Sequence, residues 1–258
     1  MNYRETSRRI EEEMPEYAKG AKLMEDFAES LEKQGLLPKK LAESKIPHVG
    51  EEQSQDVIRK AIAEYRSQPH TPELVNTTWQ TLWVEWGKRI GETFGVPQCD
   101  RTAEELVQLQ KENKAILLIP DNVDLIMLGK MFPQMRSRAV SEGTTVTEPN
   151  KGGSIDIEMD LDSPHGNTTE DQIKDFLEQQ ERDGQRLKTY IIGSQFSKLL
   201  TAHYLDENTT SRLPGSRREG GMVHAYYHSG GRLHVDSPLP PQDHNPQMGF
   251  RSEGVKRA

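Results

Sequence analysis

The sequence predicts an α+β protein. A helical N-terminal module, residues 1–113, precedes a mixed α/β domain, residues 114–258, that ends in a β-hairpin. Three observations predict this. Apolar residues recur at i, i+3/i+4 spacing through the first half. At Lys114–Ile119 (KAILLI) the pattern becomes a continuous apolar run of strand length. From there on, period-2 segments and helical segments succeed each other down to two alternating runs around a Gly-Gly turn.

Taken in order, Pro15 suits a first helical turn. Tyr17, Ala21, Met24, Phe27, Ala28 and Leu31 then keep helical spacing up to Gly35. Residues 36–50 read as irregular, with Pro38 and Pro47 inside. Residues 51–67 form an amphipathic helix with Val57, Ile58, Ala61, Ile62 and Tyr65 on its stripe. Thr71-Pro72-Glu73 is an N-cap followed by proline at the first helical position. The helix it opens reads on to Gly95. Val75, Trp79, Leu82, Trp83, Trp86, Ile90 and Phe94 share one face, which holds all three tryptophans and reads as core rather than as a stacking platform. Residues 100–113 add a short helix with Leu106, Val107 and Leu109 inward.

In the second half, Pro120 ends the KAILLI strand. Asp121 or Asn122 then caps a helix over Val123, Leu125, Ile126, Leu128, Met131 and Phe132, stopped by Pro133. Residues 154–162 alternate: Ile155, Ile157, Met159 and Leu161 against Asp156, Glu158, Asp160 and Asp162. This predicts a half-buried strand with a solvated acidic face. Alternate strand residues lie about 6.6 Å apart, too far for several carboxylates to share one cation, and the EF-hand spacing is absent. Thr168 is the expected N-cap of the next helix, with Ile173, Phe176 and Leu177 inward and Gly184 at its end. Residues 187–192 (LKTYII) read as a strand, 196–205 as a helix and 206–218 as loop and turn.

The hairpin follows. Val223, Ala225 and Tyr227 take one face, and His224, Tyr226 and His228 the other. After Ser229-Gly230-Gly231, Leu233 and Val235 alternate with Arg232, His234 and Asp236. Tyr227 falls on the scaffold face unless a bulge re-aims it. A loop stiffened by Pro238, Pro240, Pro241 and Pro246 offers Asp243, His244 and Asn245. The expected ligand-binding positions are therefore Tyr226, Tyr227, His228, His234, Asp236, Asp243, His244 and Asn245.

Composition narrows the function. A net charge of -8 opposes general nucleic-acid binding, which needs a basic footprint. Arg212, Arg217 and Arg218 read as a solvated loop. A single cysteine, Cys99, excludes a disulfide framework and a cysteine zinc site, and reads as a packing residue. The N-terminus lacks an apolar signal core, and no run reaches the roughly 18 apolar residues of a membrane span. The expectation is a cytoplasmic protein with no cofactor and no membrane span.

Three features resemble a known family: the block SRLPGSRREGGMVHAYYHSGGRLHV, the proline loop and the ending GFRSEGV. The ending is similar to that of C-type-lectin-like domains of the formylglycine-generating-enzyme type, which close on Gly-Phe-Arg. The pattern also resembles the variable proteins of diversity-generating retroelements. In those, adenine mutagenesis of Asn codons yields Asn, Tyr, His, Asp and Ser at exchangeable positions in fixed surroundings. The resemblance implies a C-type-lectin-like domain over residues 114–258 and a non-enzymatic protein. Its partner would be an unknown protein or other macromolecular ligand. The enzymes of that type act through cysteines in this domain, and here there are none. Two alternatives stand beside it. One is a metal-dependent hydrolase using His224, His228, His234 and His244 with Asp236 or Asp243. His224 and His228 lie about 13 Å apart along an extended chain, which opposes a shared metal. The other is a helical adaptor acting through its first half.

Overall fold

The computed structural model describes the backbone of residues 48–142, 146–236 and 239–255, with side chains from Gln53 onward. The expected helix from Pro15 to Gly35, the irregular stretch before His48 and Pro238 lie outside the described residues. The described chain is α+β. It has helices α1 (His48–Ser67), α2 (Pro72–Lys88), α3 (Ala103–Lys111), α4 (Leu125–Met131), α5 (Arg138–Ser141), α6 (Glu170–Gln179) and α7 (Leu187–Thr201). Strands β1 (Lys114–Ile119), β2 (Gly153–Glu158), β3 (Asp183–Gly184), β4 (Thr210–Arg218), β5 (Gly221–Tyr227), β6 (Leu233–Asp236), β7 (Met248–Phe250) and β8 (Ser252–Val255) make two sheets, ordered β1-β2-β8-β3 and β6-β5-β4-β7.

Asp56–Ala258 form one compact unit that runs across Asn113. The reason lies in α2. Thr71 Oγ1 accepts from Leu74 N, and Pro72 occupies the first helical position. Val75, Trp79, Leu82, Trp83 and Trp86 are buried. β1 is an edge strand, and its unpaired carbonyls need donors. Trp79 Nε1 donates to Ile116 O at 2.8 Å, and Trp83 Nε1 to Leu118 O at 2.6 Å. Four helical residues rise about 6.0 Å and two strand residues about 6.6 Å, so one helix face matches one strand edge. The helix stops at Lys88, short of the expected Gly95, because the chain reverses through Gly91 in the left-handed region (φ 72°). Ile90 and Phe94 still pack on the core from that turn.

Two segments differ from expectation in type. Residues 187–192 are helix, continuous with the following segment in α7. Every residue from Leu187 to Ser197 is buried, so the run has no polar face to betray its period. A side chain at Gly193 would strike Ile157, which shows how closely α7 lies on β2. Residues 210–218 are strand β4, not loop. Pro214 and Gly215 fall where the β4/β5 register shifts between Leu213 and Arg217. A bulge tolerates both residue types inside a strand. Two caps also shift: α4 is capped by Asp124, whose carboxylate accepts from Met127 N, and α6 by Thr169 rather than Thr168.

Strand β2 covers 153–158 and stops short of the expected Asp162; Asp160 and Asp162 beyond it are exposed, but the acidic face within the strand is not solvated. Asp156 and Glu158 are buried. Asp156 pairs with Arg182 at 2.6 Å and Arg101 at 3.5 Å. Glu158 accepts from Ser252 N at 2.9 Å and Ser252 Oγ at 2.7 Å, and lies 3.4 Å from His165 Nε2. Burial pushes Glu158 up, but the bonds from His165 and Ser252 outweigh it and hold the carboxyl below its usual value. These carboxylates face β8, which runs between β2 and β3.

Arg251 stands where the chain leaves the second sheet at β7 and enters the first at β8. It is fully buried and pairs with Asp206, also fully buried, at 2.8 Å. Its guanidinium also donates to the carbonyls of Glu158, Asp160 and Asp162. Arg212, expected in a solvated loop, is 1% exposed.

Candidate functional site

The β5/β6 hairpin has the expected register, with Tyr226 opposite His234 and Tyr227 opposite Leu233. No bulge re-aims Tyr227. It is buried with Val223 and Ala225, its ring stacked on Tyr204 at 4.8 Å and its hydroxyl 3.1 Å from Met135 Sδ. Burial holds its phenol well above the usual value. Tyr227 is thus a core residue, not a contact residue.

The opposite face begins buried and opens outward. His224 is 3% exposed, with Arg212 on one neighbouring strand and Asp236 on the other. Burial, then Arg212, lower its pKa to about 4, so the ring is neutral near pH 7. Tyr226 is half-buried and His228 exposed. Tyr226 stacks on His234 (centroids 4.8 Å, planes 15° apart), and His228 stands edge-on to both, at 5.5 Å and 4.7 Å. Tyr226 of β5, His228 just after it and His234 of β6 thus form one aromatic patch. Burial, then His228 and Arg232, lower the pKa of His234 and favour its neutral ring. Its Nε2 is covered and has no hydrogen-bond partner among the described residues. Asp236 is exposed at the strand end.

The proline loop is tied down from beneath. Arg212 donates to Thr168 O and to Asp243 O. Glu170 N at the start of α6 donates to Pro241 O at 3.0 Å, and Asn167 N to Asn245 O at 3.2 Å. Asp243, His244 and Asn245 are exposed on this anchored backbone. Asn245 Oδ1 accepts from Gln247 N at 2.9 Å, so half of that side chain shapes the loop. Arg212, paired with His224 across β4 and β5, donates to Asp243 O, which places the loop beside the hairpin.

Seven of the eight expected positions are therefore at least partly exposed, on one hairpin face and one adjoining loop. The anchor Arg212 was missed because its strand reads as a turn. Among the described residues, no three of His, Cys, Asp or Glu gather as a metal site, and no helix is long and apolar enough to cross a membrane. Cys99 is half-buried against the core, with its backbone N–H on Asn76 Oδ1. Comparison with protein-family models, curated proteins and solved structures finds no match.

Proposed function

We propose that this chain is a non-enzymatic binding protein that presents exchangeable contact residues on a C-type-lectin-like frame, as the target of a diversity-generating retroelement. The observation that carries the reading is the aromatic patch of Tyr226, His228 and His234 beside the anchored loop. Tyrosine and histidine give amphipathic contact area at low conformational cost, and a pre-ordered loop reduces the entropy lost on binding. Gly249 and Phe250 in β7, with Arg251 after them, supply a buried frame for that surface. The ligand is taken to be a protein or another macromolecule, since the surface is open.

The test is a library randomised at Tyr226, His228, His234, Asp243 and His244, displayed and selected on one fixed protein such as lysozyme. The expected result is that most members unfold cooperatively within a few degrees of the parent and that selection enriches binders. Loss of folding in most members would overturn the reading. Sequencing the DNA around the gene tests the retroelement itself. A near-copy of the segment encoding residues 215–255, differing at adenines, together with a reverse transcriptase gene, is expected; absence of both refutes that part.

A further inference from the structure

A cleft of about 270 Å³ opens between the start of α4 and residues 146–150, and none of its lining residues belongs to the hairpin or the proline loop. Lys188, on the first turn of α7, reaches it and is 1% exposed. Its Nζ donates to Val123 O at 3.1 Å and Asn150 Oδ1 at 2.9 Å. Both acceptors are neutral, and an ammonium has a third donor. Lys188 makes no ion pair among the described residues. Glu148 lines the same cleft. Its carboxylate accepts from Ser216 Oγ at 2.6 Å and from the Lys188 backbone N–H at 3.3 Å. It too has no cationic partner among the described residues. Burial lowers the Lys188 pKa and raises that of Glu148, outweighing the attraction between the two groups.

An unpaired buried charge is costly. Here Lys188 and Glu148 line a single cleft without an ion pair between them, and Asp124, the third charged lining residue, is engaged in its cap bond from Met127 N. A ligand carrying only one charge would satisfy one group and leave the second unpaired. Val123, Leu125, Ile126 and Val146 give the cleft an aliphatic wall. Its volume is just below the roughly 300 Å³ at which ordinary ligand pockets begin, which restricts the occupant to a small molecule.

We propose that this cleft binds a small zwitterion with an apolar side chain, of the class of free aliphatic α-amino acids. The carboxylate meets Lys188 Nζ and the Asn150 amide, the ammonium meets Glu148, and the side chain lies on the aliphatic wall. This site is independent of the hairpin surface.

Calorimetric titration of the full chain at pH 7 tests it with three probes: L-leucine, isovalerate (no ammonium) and isoamylamine (no carboxylate). L-leucine is expected to bind, and each half-charged analogue at least ten-fold more weakly. Glu148→Gln is expected to weaken L-leucine about ten-fold while leaving isovalerate unchanged. Lys188→Met, checked for folding by circular dichroism, is expected to abolish binding of both. No heat from L-leucine at millimolar concentration overturns the proposal. Equal binding of isovalerate makes this a simple anion site, and equal binding of isoamylamine a simple cation site; either result also overturns it. The comparison of probes on the unaltered chain does not depend on any variant folding.

Discussion

The polar side chains beneath β8 and those on the outer face of the hairpin are in opposite circumstances, and aspartate occurs in both. Beneath β8, Arg251, Asp206, Glu158, Ser252 and Asp156 are all buried, each with hydrogen bonds or ion pairs to a defined partner. On the hairpin, Tyr226, His228 and His234 touch mainly one another, and Asp243 and His244 stand in water above an anchored backbone. An aspartate alone, Asp156 or Asp243, therefore does not tell frame from contact surface. What separates them is whether removing a side chain strands a buried partner.

The sharpest way to break this comparison is at Arg251. Arg251→Met leaves Asp206 buried and unpaired and is expected to cost about 3–5 kcal/mol in urea unfolding. A cost below about 1 kcal/mol would mean that the buried lattice is not the frame. Next come the adjacent tyrosines. Tyr227→Ala opens the core and is expected to cost about 3–5 kcal/mol. Tyr226→Ala removes a surface stack worth about 0.5–1.5 kcal/mol. Equal losses for the two would erase the distinction between the faces.

His224, at the border, gives a pH test. Its folded pKa lies below its unfolded value of 6.5. The unfolded chain therefore takes up a proton first as pH falls. Stability is full above pH 6.5, declines between pH 6.5 and about 4, and loses nothing more to this group below that. At about 1.4 kcal/mol per pH unit the loss reaches at most about 3.5 kcal/mol. Denaturation at pH 7.5 and pH 5 in the parent and in His224→Gln should show a smaller decline in the variant. An identical decline would assign the acid loss to other groups. The smallest effects are expected at His228→Ala and His244→Ala, each within about 0.5 kcal/mol of the parent; melts that shift further would make these positions part of the frame.

Much of the frame was legible in the sequence, and each failure has its own physical cause. The α2 stripe and the hairpin each carry a period that points to one buried face, and the β1 run is apolar throughout because it is buried on both faces; all three form, α2 ending at Lys88. The α7 segment is buried all round, so its eleven consecutive buried residues carry no period at all. The alternation of β2 correctly gives a strand. It could not show that Arg182 and Arg101 arrive from distant segments to meet Asp156, because a polar outer face reads the same whether water or a cation covers it. In the site, strand parity already set Tyr227 inward, and the structure upholds parity over the bulge. The anchoring of the loop by Arg212 was not legible, because Pro214 and Gly215 disguise β4 as a turn.

The placement of β8 between β2 and β3 governs when this protein can become a protein. A ribosome delivers β1, β2 and the α7 helix well before β8. Until then one side of β2 has no partner, Asp156 and Glu158 lack their final cover, and Asp206 waits for its guanidinium. Ile155 pairs with Val255 and Ile157 with Glu253, so the first sheet closes only through contacts of long sequence separation, which are slow to form. During that interval the nascent chain exposes an open strand edge, the kind of surface that chaperones guard and that aggregation exploits.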